Sequence, residues 1–278
     1  MRVATSLAIL LFVSLVAFGQ APASKNTKQT AKSSATIPRT PDGKPDLSGM
    51  WDHPFVVDMA SDSKRDNCGA VLKGCSQRGP GGEPPMTPWA AEWTKNYDPT
   101  DFDSSAQCNP LGYSRSMNSP VPVQIVQTPS QLVFLHEAFF AFHVVYLDGR
   151  RHPTPDEARE TTWYGHSVGH WEGDTMVIDT VGPFFGAPMM LLDTRGHPVS
   201  GEQHFVERFT RTDHDTMAYE VTVEDPKAYT RSWKNTRTWK LMPANEEIME
   251  YACQENNKDT REGHISSTPS SKQKPPAF

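Results

Sequence analysis

From Met217 to Glu224, Met217, Tyr219, Val221 and Val223 alternate with Ala218, Glu220, Thr222 and Glu224. A period of two puts neighbouring side chains on opposite faces of a strand, so this segment buries one face and wets the other. Residues 203–211 precede it across the turn Asp213-His214-Asp215, which makes the two runs a hairpin. A second hairpin is expected at Glu172-Gly173-Asp174, between residues 163–171 and 175–180, and a third at Pro243-Ala244-Asn245 ahead of a strand over 247–253. No amphipathic segment of helix length separates these strands, which disfavours a parallel βαβ architecture. The expected fold is mainly β: an antiparallel, lipocalin-like barrel, because closure removes exposed edges, with a two-sheet β-sandwich as the alternative. One short helix should precede it, opened by Thr87 at the N-cap and Pro88 at the first helical position and running to about Tyr97.

The chain ends carry different information. Residues 1–23 hold one basic residue, Arg2, an apolar run over 7–18 and the small residues Ala17, Gly19, Ala21 and Ala23. This is secretory-signal anatomy. The run is shorter than the roughly 20 residues of a membrane-spanning helix, and no second run follows, so no membrane span is expected. Residues 24–46 read as a solvated linker, 47–255 as a single β-rich domain and 256–278 as a disordered tail. Loss of Arg2 with the signal takes the formal charge of −6 to −7. With no clustered Lys or Arg, nucleic acid is not an expected partner. A periplasmic or secreted location follows.

Four cysteines, Cys68, Cys75, Cys108 and Cys253, are an even set in a chain sent to an oxidising compartment. Three pairings exist. Cys68 with Cys75 closes the shortest loop, which leaves Cys108 to reach Cys253; free buried thiols are the other reading. No CxxC pair supports zinc.

Several motifs invite chemistry. Gly165-His166-Ser167-Val168-Gly169 matches the G-x-S-x-G nucleophile elbow in letters, but an elbow needs an apolar strand before the Ser and a helix after it. Here a polar stretch precedes and the turn at Glu172-Gly173-Asp174 follows. Small residues that let Trp163 and Trp171 pack are the better reading. Of ten histidines, His136, His143, His152, His166, His170 and His204 lie in the strand region, yet none has ligand spacing along one strand. His166 and His170 would stand about 13 Å apart. Alternation supplies a clearer lead. On 203–211 the face of Phe205 and Phe209 also holds Glu207, and on 131–140 the face of Val133, Leu135 and Phe139 holds Glu137. A carboxylate facing apolar surroundings must be neutralised or paired, by Arg150, Arg208, Arg237, His152 or His204. Carboxylates so placed serve general acid–base chemistry, and structural ion pairs equally. Asp148-Gly149-Arg150 reads as a turn, with Arg150 and His152 at a sheet rim.

The segments TPDGKPDLSGMW (40–51), CNPLGYSR (108–115), YLDGRRHP (146–153), WYGHSVGHWEGDTMVIDT (163–180), HFVERFTRTDHDT (204–216), EDPKAYT (224–230) and EYACQENN (250–257) together resemble an uncharacterised family of exported bacterial proteins. The resemblance covers most of the chain beyond the signal and carries over no activity and no catalytic residue. It implies that Cys108 and Cys253, each inside a matching segment, are structurally related. The segment from Cys68 to Gly82 has no counterpart in it.

The functional expectation is a barrel that binds a small, largely apolar molecule in a cavity lined by Phe134, Phe139, Trp163, Trp171, Phe205 and Tyr219. Arg150, His166 and His204 would supply polar contacts. The alternative is a lyase, isomerase or hydrolase with Glu137 or Glu207 as base and His152 or Arg150 holding the substrate. Metal binding is a third reading. The sequence points to no cofactor.

Overall fold

The computed structural model describes residues 36–53, 59, 83–103, 105–106, 108–154, 157, 162–182, 190–255 and 257–258. The residues read as a signal, Cys68, Cys75 and most of those read as a tail lie outside the described residues.

Nine strands close into a barrel among the described residues: β1 (Gly49–Asp52), β2 (Val123–Gln127), β3 (Gln131–His136), β4 (Ala141–Tyr146), β5 (His166–Glu172), β6 (Thr175–Val181), β9 (His204–Arg211), β10 (Thr216–Glu224) and β11 (Trp233–Leu241). The ring order is β1-β11-β10-β9-β6-β5-β4-β3-β2, and β7 (Met190–Leu191) and β8 (Pro198–Val199) form a separate ribbon. The barrel expectation holds and the sandwich is excluded, but the sheet is mixed. β4 and β5 run parallel, joined only at Val145↔Ser167 and Tyr146↔Val168. Arithmetic requires such a pair. Strand direction must return to itself around a closed ring, so reversals come in even numbers, and a ring of nine cannot reverse at every neighbour.

The hairpins at 213–215 and 172–174 form as expected, pairing Phe209 with Tyr219 and Glu172 with Thr175. The third does not. Residues 247–253 are not a strand, because both edges of β11 are already taken by β10 and β1. The expected strand over 131–140 is also shorter. β3 stops at His136, Glu137 turns into the helical region, and Phe139 and Phe140 take positive φ to reverse the chain into β4. Its inward face is Leu132, Phe134 and His136, so the inward placement of Val133, Leu135 and Phe139 is corrected.

Inward alternation builds the core. Trp51, Phe134, Phe205, Phe209 and Trp239 are at most 1% exposed. Phe134 on β3 meets Phe209 on β9 at 5.7 Å between centroids, and these strands are not neighbours in the ring, so the contact spans the lumen. Interlocked rings here exclude water at about 25 cal/mol per Å² of apolar surface. Helix α1 (Pro88–Asn96) has Pro88 where expected. The Thr87 hydroxyl, however, donates to the carbonyls of Lys227 and Ala228 rather than capping the helix. The short helix α2 (Tyr113–Ser116) is wholly buried, and Arg115 pairs doubly with Asp103 at 2.7 Å.

Cys108 and Cys253 form a disulfide with Cα atoms 5.6 Å apart. Within the stretch read as linker, Arg39 makes a two-pronged pair with Asp174 at the β5–β6 turn. Among the described residues no helix is long and apolar enough to cross a membrane.

A groove at the parallel seam and a histidine chain beside it

Because β4 pairs with β5 only where β4 ends and β5 begins, the first part of β4 and the approach to β5 are not joined by ladder bonds. A groove of about 500 Å³ lies there. Phe139, Phe140, Phe142, Tyr146, Trp163 and Tyr164 give it aromatic walls, and His143 and His166 also line it. Phe142 is 64% exposed and Phe140 55%, unusual for rings of this size. The Phe134, His136 and Tyr164 rings stack with the buried His143, tying the groove lining to the barrel interior. Burial drives His143 well below its usual range, with His136 adding to the effect, so His143 is neutral.

One edge of the groove continues into a chain of side chains on the outer face of the barrel. His166 Nδ1 lies 2.9 Å from His152 Nδ1, and His152 Nε2 lies 3.0 Å from Asp179 Oδ1. His204 Nε2 shares that same oxygen at 2.9 Å, and its Nδ1 meets Glu224 at 3.0 Å. The chain forms because outward positions on β5, β6, β9 and β10 fall side by side, with Asp179 opposite Val206 and His204 opposite Glu224. Hydrogen bonding to Asp179 lifts His204 to about 9 against the opposing effect of burial, with Glu224 assisting, so His204 is an imidazolium between two carboxylates. Burial pushes Asp179 upward, but the hydrogen bonds and charge of His204 and His152 outweigh it and hold the carboxyl below its ordinary value. His166 is lowered, first by burial and then by His152 and Arg150. The Tyr146 ring stacks on His166 at 5.6 Å, and the Arg150 guanidinium sits 3.6 Å over Tyr146 while pairing with Asp148.

The interior holds a second polar group. Glu207 is fully buried and accepts the Tyr219 hydroxyl at 2.5 Å through Oε1, while Oε2 has no partner among the described residues. Burial raises Glu207 to about 8, with the Tyr219 bond and Arg237 opposing, so it is protonated at neutral pH. Arg237 donates to Asn118 and to Asn235 Oδ1 and lies 5.6 Å from the Tyr219 ring centroid. Tyr113 Oη and His136 Nε2 are buried and have no hydrogen-bond partner among the described residues.

The structure therefore distributes the sequence-derived candidates over separate places. Trp163 and His166 line the groove, with Phe139. Phe134, Phe205 and Tyr219 belong to the packed interior. Trp171 lines another groove of about 510 Å³ with Pro41, Gln127 and His170, so the single cavity expected for these aromatics is not what forms. His152 and His204 stand in the outer chain. Glu207 faces inward on the same wall whose outer face carries Asp179. Glu137 sits at the β3–β4 turn, accepting the Met249 N–H at 3.1 Å. Both carboxylates are buried, as alternation and the turn require, but among the described residues neither has an Arg or His within hydrogen-bond reach; Tyr219 and a backbone amide take those places. Ser167 is no nucleophile elbow: it lies mid-strand, bonded to the Thr180 hydroxyl at 2.8 Å. Gly165 takes φ +71°, and a Cβ there would meet the Val181 carbonyl oxygen at 2.4 Å, which accounts for the first glycine of the motif. Phe142, Tyr164 and Asp179 were missed. Alternation marks Asp179 as outward, but its partners are set by strand register across β9.

Among the described residues no group of three or more His, Cys, Asp or Glu is arranged to hold a metal ion. No protein-family model, curated protein or solved structure matches the chain.

Proposed function

We propose that this is an exported barrel protein that binds a small, largely apolar, ring-bearing molecule in the groove between β4 and β5. The observation that carries this reading is the pair of exposed rings, Phe140 and Phe142, at a groove walled by four further aromatics. Water against such a surface is unfavourable, and a planar apolar ligand removes it while stacking on the rings. A volume of about 500 Å³ falls within the range of small-molecule sites. His166 gives such a ligand a hydrogen-bonding partner at a fixed point, which is how apolar sites set orientation.

The disulfide supports an exported location, since such bonds persist in oxidising compartments. The same location fits membership of the exported family that the sequence resembles.

Titration with the neutral fluorophore N-phenyl-1-naphthylamine tests the site. We expect saturable enhancement at one site per chain, and affinity at least about tenfold weaker in the Phe142→Ser/Trp163→Ala variant, corresponding to about 1.4 kcal/mol. Equal affinity in the variant refutes the placement. Mass spectrometry of molecules that copurify with the protein then identifies the ligand class.

A further inference from the structure

We propose that His166 is a general base acting on a carbon acid held in the groove, with His152 and Asp179 as positioning residues behind it. This rests on the groove being the binding site.

Proton positions follow from the geometry. Asp179 Oδ1 is an acceptor, so the His152 nitrogen 3.0 Å away, Nε2, carries a hydrogen and donates it. In neutral His152 the other nitrogen, Nδ1, is then an acceptor, and it faces His166 Nδ1 at 2.9 Å. His166 must supply the hydrogen there. That fixes its tautomer, with the lone pair on Nε2, which has no hydrogen-bond partner among the described residues. A base whose far nitrogen is held by a second group, itself held by a carboxylate, is the arrangement general-base catalysis requires.

The surroundings keep that lone pair available. His204, as an imidazolium on Asp179 and Glu224, already matches the charge of the shared carboxylate. Partial burial disfavours a proton on His166, as does the Arg150 guanidinium placed over Tyr146. Val181 of β6 opposes His166 in register and brings no charge. His152 itself cannot touch a ligand through either nitrogen, since both are engaged. The residue expected to hold substrate is thus the relay, and the base is the next ring along.

The substrate class is a small aromatic or conjugated molecule with an acidic C–H. Its proton goes to His166 Nε2, and the C–H electron pair forms a new π bond as a leaving group departs or the double bond shifts. Such an elimination or isomerisation needs no oxidant, reductant or second substrate.

The test uses 5-nitro-1,2-benzisoxazole, a flat aromatic that fits the groove's chemistry. The base removes the C3 proton, the electron pair forms the C≡N bond, the N–O bond breaks, and the oxygen leaves as the coloured 2-cyano-4-nitrophenolate. We expect saturable turnover that rises with pH through a midpoint below 6.5 and then levels, since the base works unprotonated. His166→Gln should lower kcat about 100-fold or more, within the usual range for losing a general base. His152→Gln and Asp179→Asn should lower kcat less, shift the midpoint and leave KM nearly unchanged. N-phenyl-1-naphthylamine binding, measured on the same proteins, should survive His152→Gln and Asp179→Asn, and circular dichroism should show His166→Gln folded like the native protein. Turnover unaffected by His166→Gln overturns the inference, as does absence of turnover by a protein that binds the fluorophore, or a midpoint that His152→Gln and Asp179→Asn leave in place. Failure of the native protein to bind the fluorophore refutes the groove itself.

Discussion

Glu207→Gln should make the protein more stable at neutral pH, and the gain can be worked from the site. Glu207 is completely buried, and its folded-state value of about 8 stands against an ordinary 4.5. At pH 7 the unfolded chain carries it ionised while the folded chain carries it protonated, so folding must take up a proton. The sign follows from a raised carboxyl: no penalty below the ordinary value, a penalty that grows as pH rises from 4.5 toward 8, and a constant one above. Pricing the interval up to pH 7 at about 1.4 kcal/mol per unit gives a penalty of about 3 kcal/mol. Glutamine has the shape of the protonated acid, keeps an oxygen for the Tyr219 hydroxyl, and bears no such penalty. Urea unfolding of both proteins at pH 5 and pH 8 is the assay. The variant's advantage should be below about 1 kcal/mol at pH 5 and should grow by about 3 kcal/mol at pH 8. Parallel stability curves across that interval would refute the buried protonated carboxyl and the inward register of β9 with it.

His204 has the opposite chemistry. Its value is raised to about 9, so its ion pairs stabilise fully below the ordinary 6.5 and are lost as pH rises through 9. Solvent around the half-exposed ring limits this to about 1 kcal/mol, and His204→Gln should remove the loss from thermal melts between pH 6.5 and 9.5. Replacing Cys108 and Cys253 together by Ala frees a loop of 145 residues, which the chain-entropy account values at about 5 kcal/mol. An unchanged urea midpoint under oxidising conditions would contradict the crosslink. Gly165→Ala places a Cβ against the Val181 carbonyl at a positive φ, and circular-dichroism melts should show a loss of about 2 kcal/mol or more.

The sequence was most legible where structure is local. The alternation from Met217 to Glu224 and the turn at 213–215 specify β10, β9 and the inward position of Glu207, because period and turn chemistry act over a few residues. It misled at 131–140, where two aromatic residues adopt positive φ, a conformation that composition does not announce. It misled again at 247–253, where a plausible strand finds no open edge, a fact that exists only once the ring closes. The candidate site was legible in parts. His152, His166 and His204 were each singled out, but Asp179, which links two of them, becomes meaningful only through the register of β6 against β9. Trp163 and Trp171 looked equivalent in sequence and line different grooves, because Trp163 lies in the turn before β5 and Trp171 near that strand's far end.

The odd ring also limits how this barrel can change. Gaining or losing a hairpin alters the strand count by two and leaves it odd, so a parallel neighbour pair must survive every such edit. Parallel neighbours start at the same end, so the chain that joins them must return to that end before the second can begin; here β4 ends at Tyr146 and β5 begins at His166. Substitutions can reshape the rings around the groove, but none can zip β4 to β5 as a hairpin would. A lineage of such barrels would vary what the groove accepts while keeping the crossover. For an engineer, that makes 147–165 a stretch to edit in length and composition, and the strand count the quantity to leave alone.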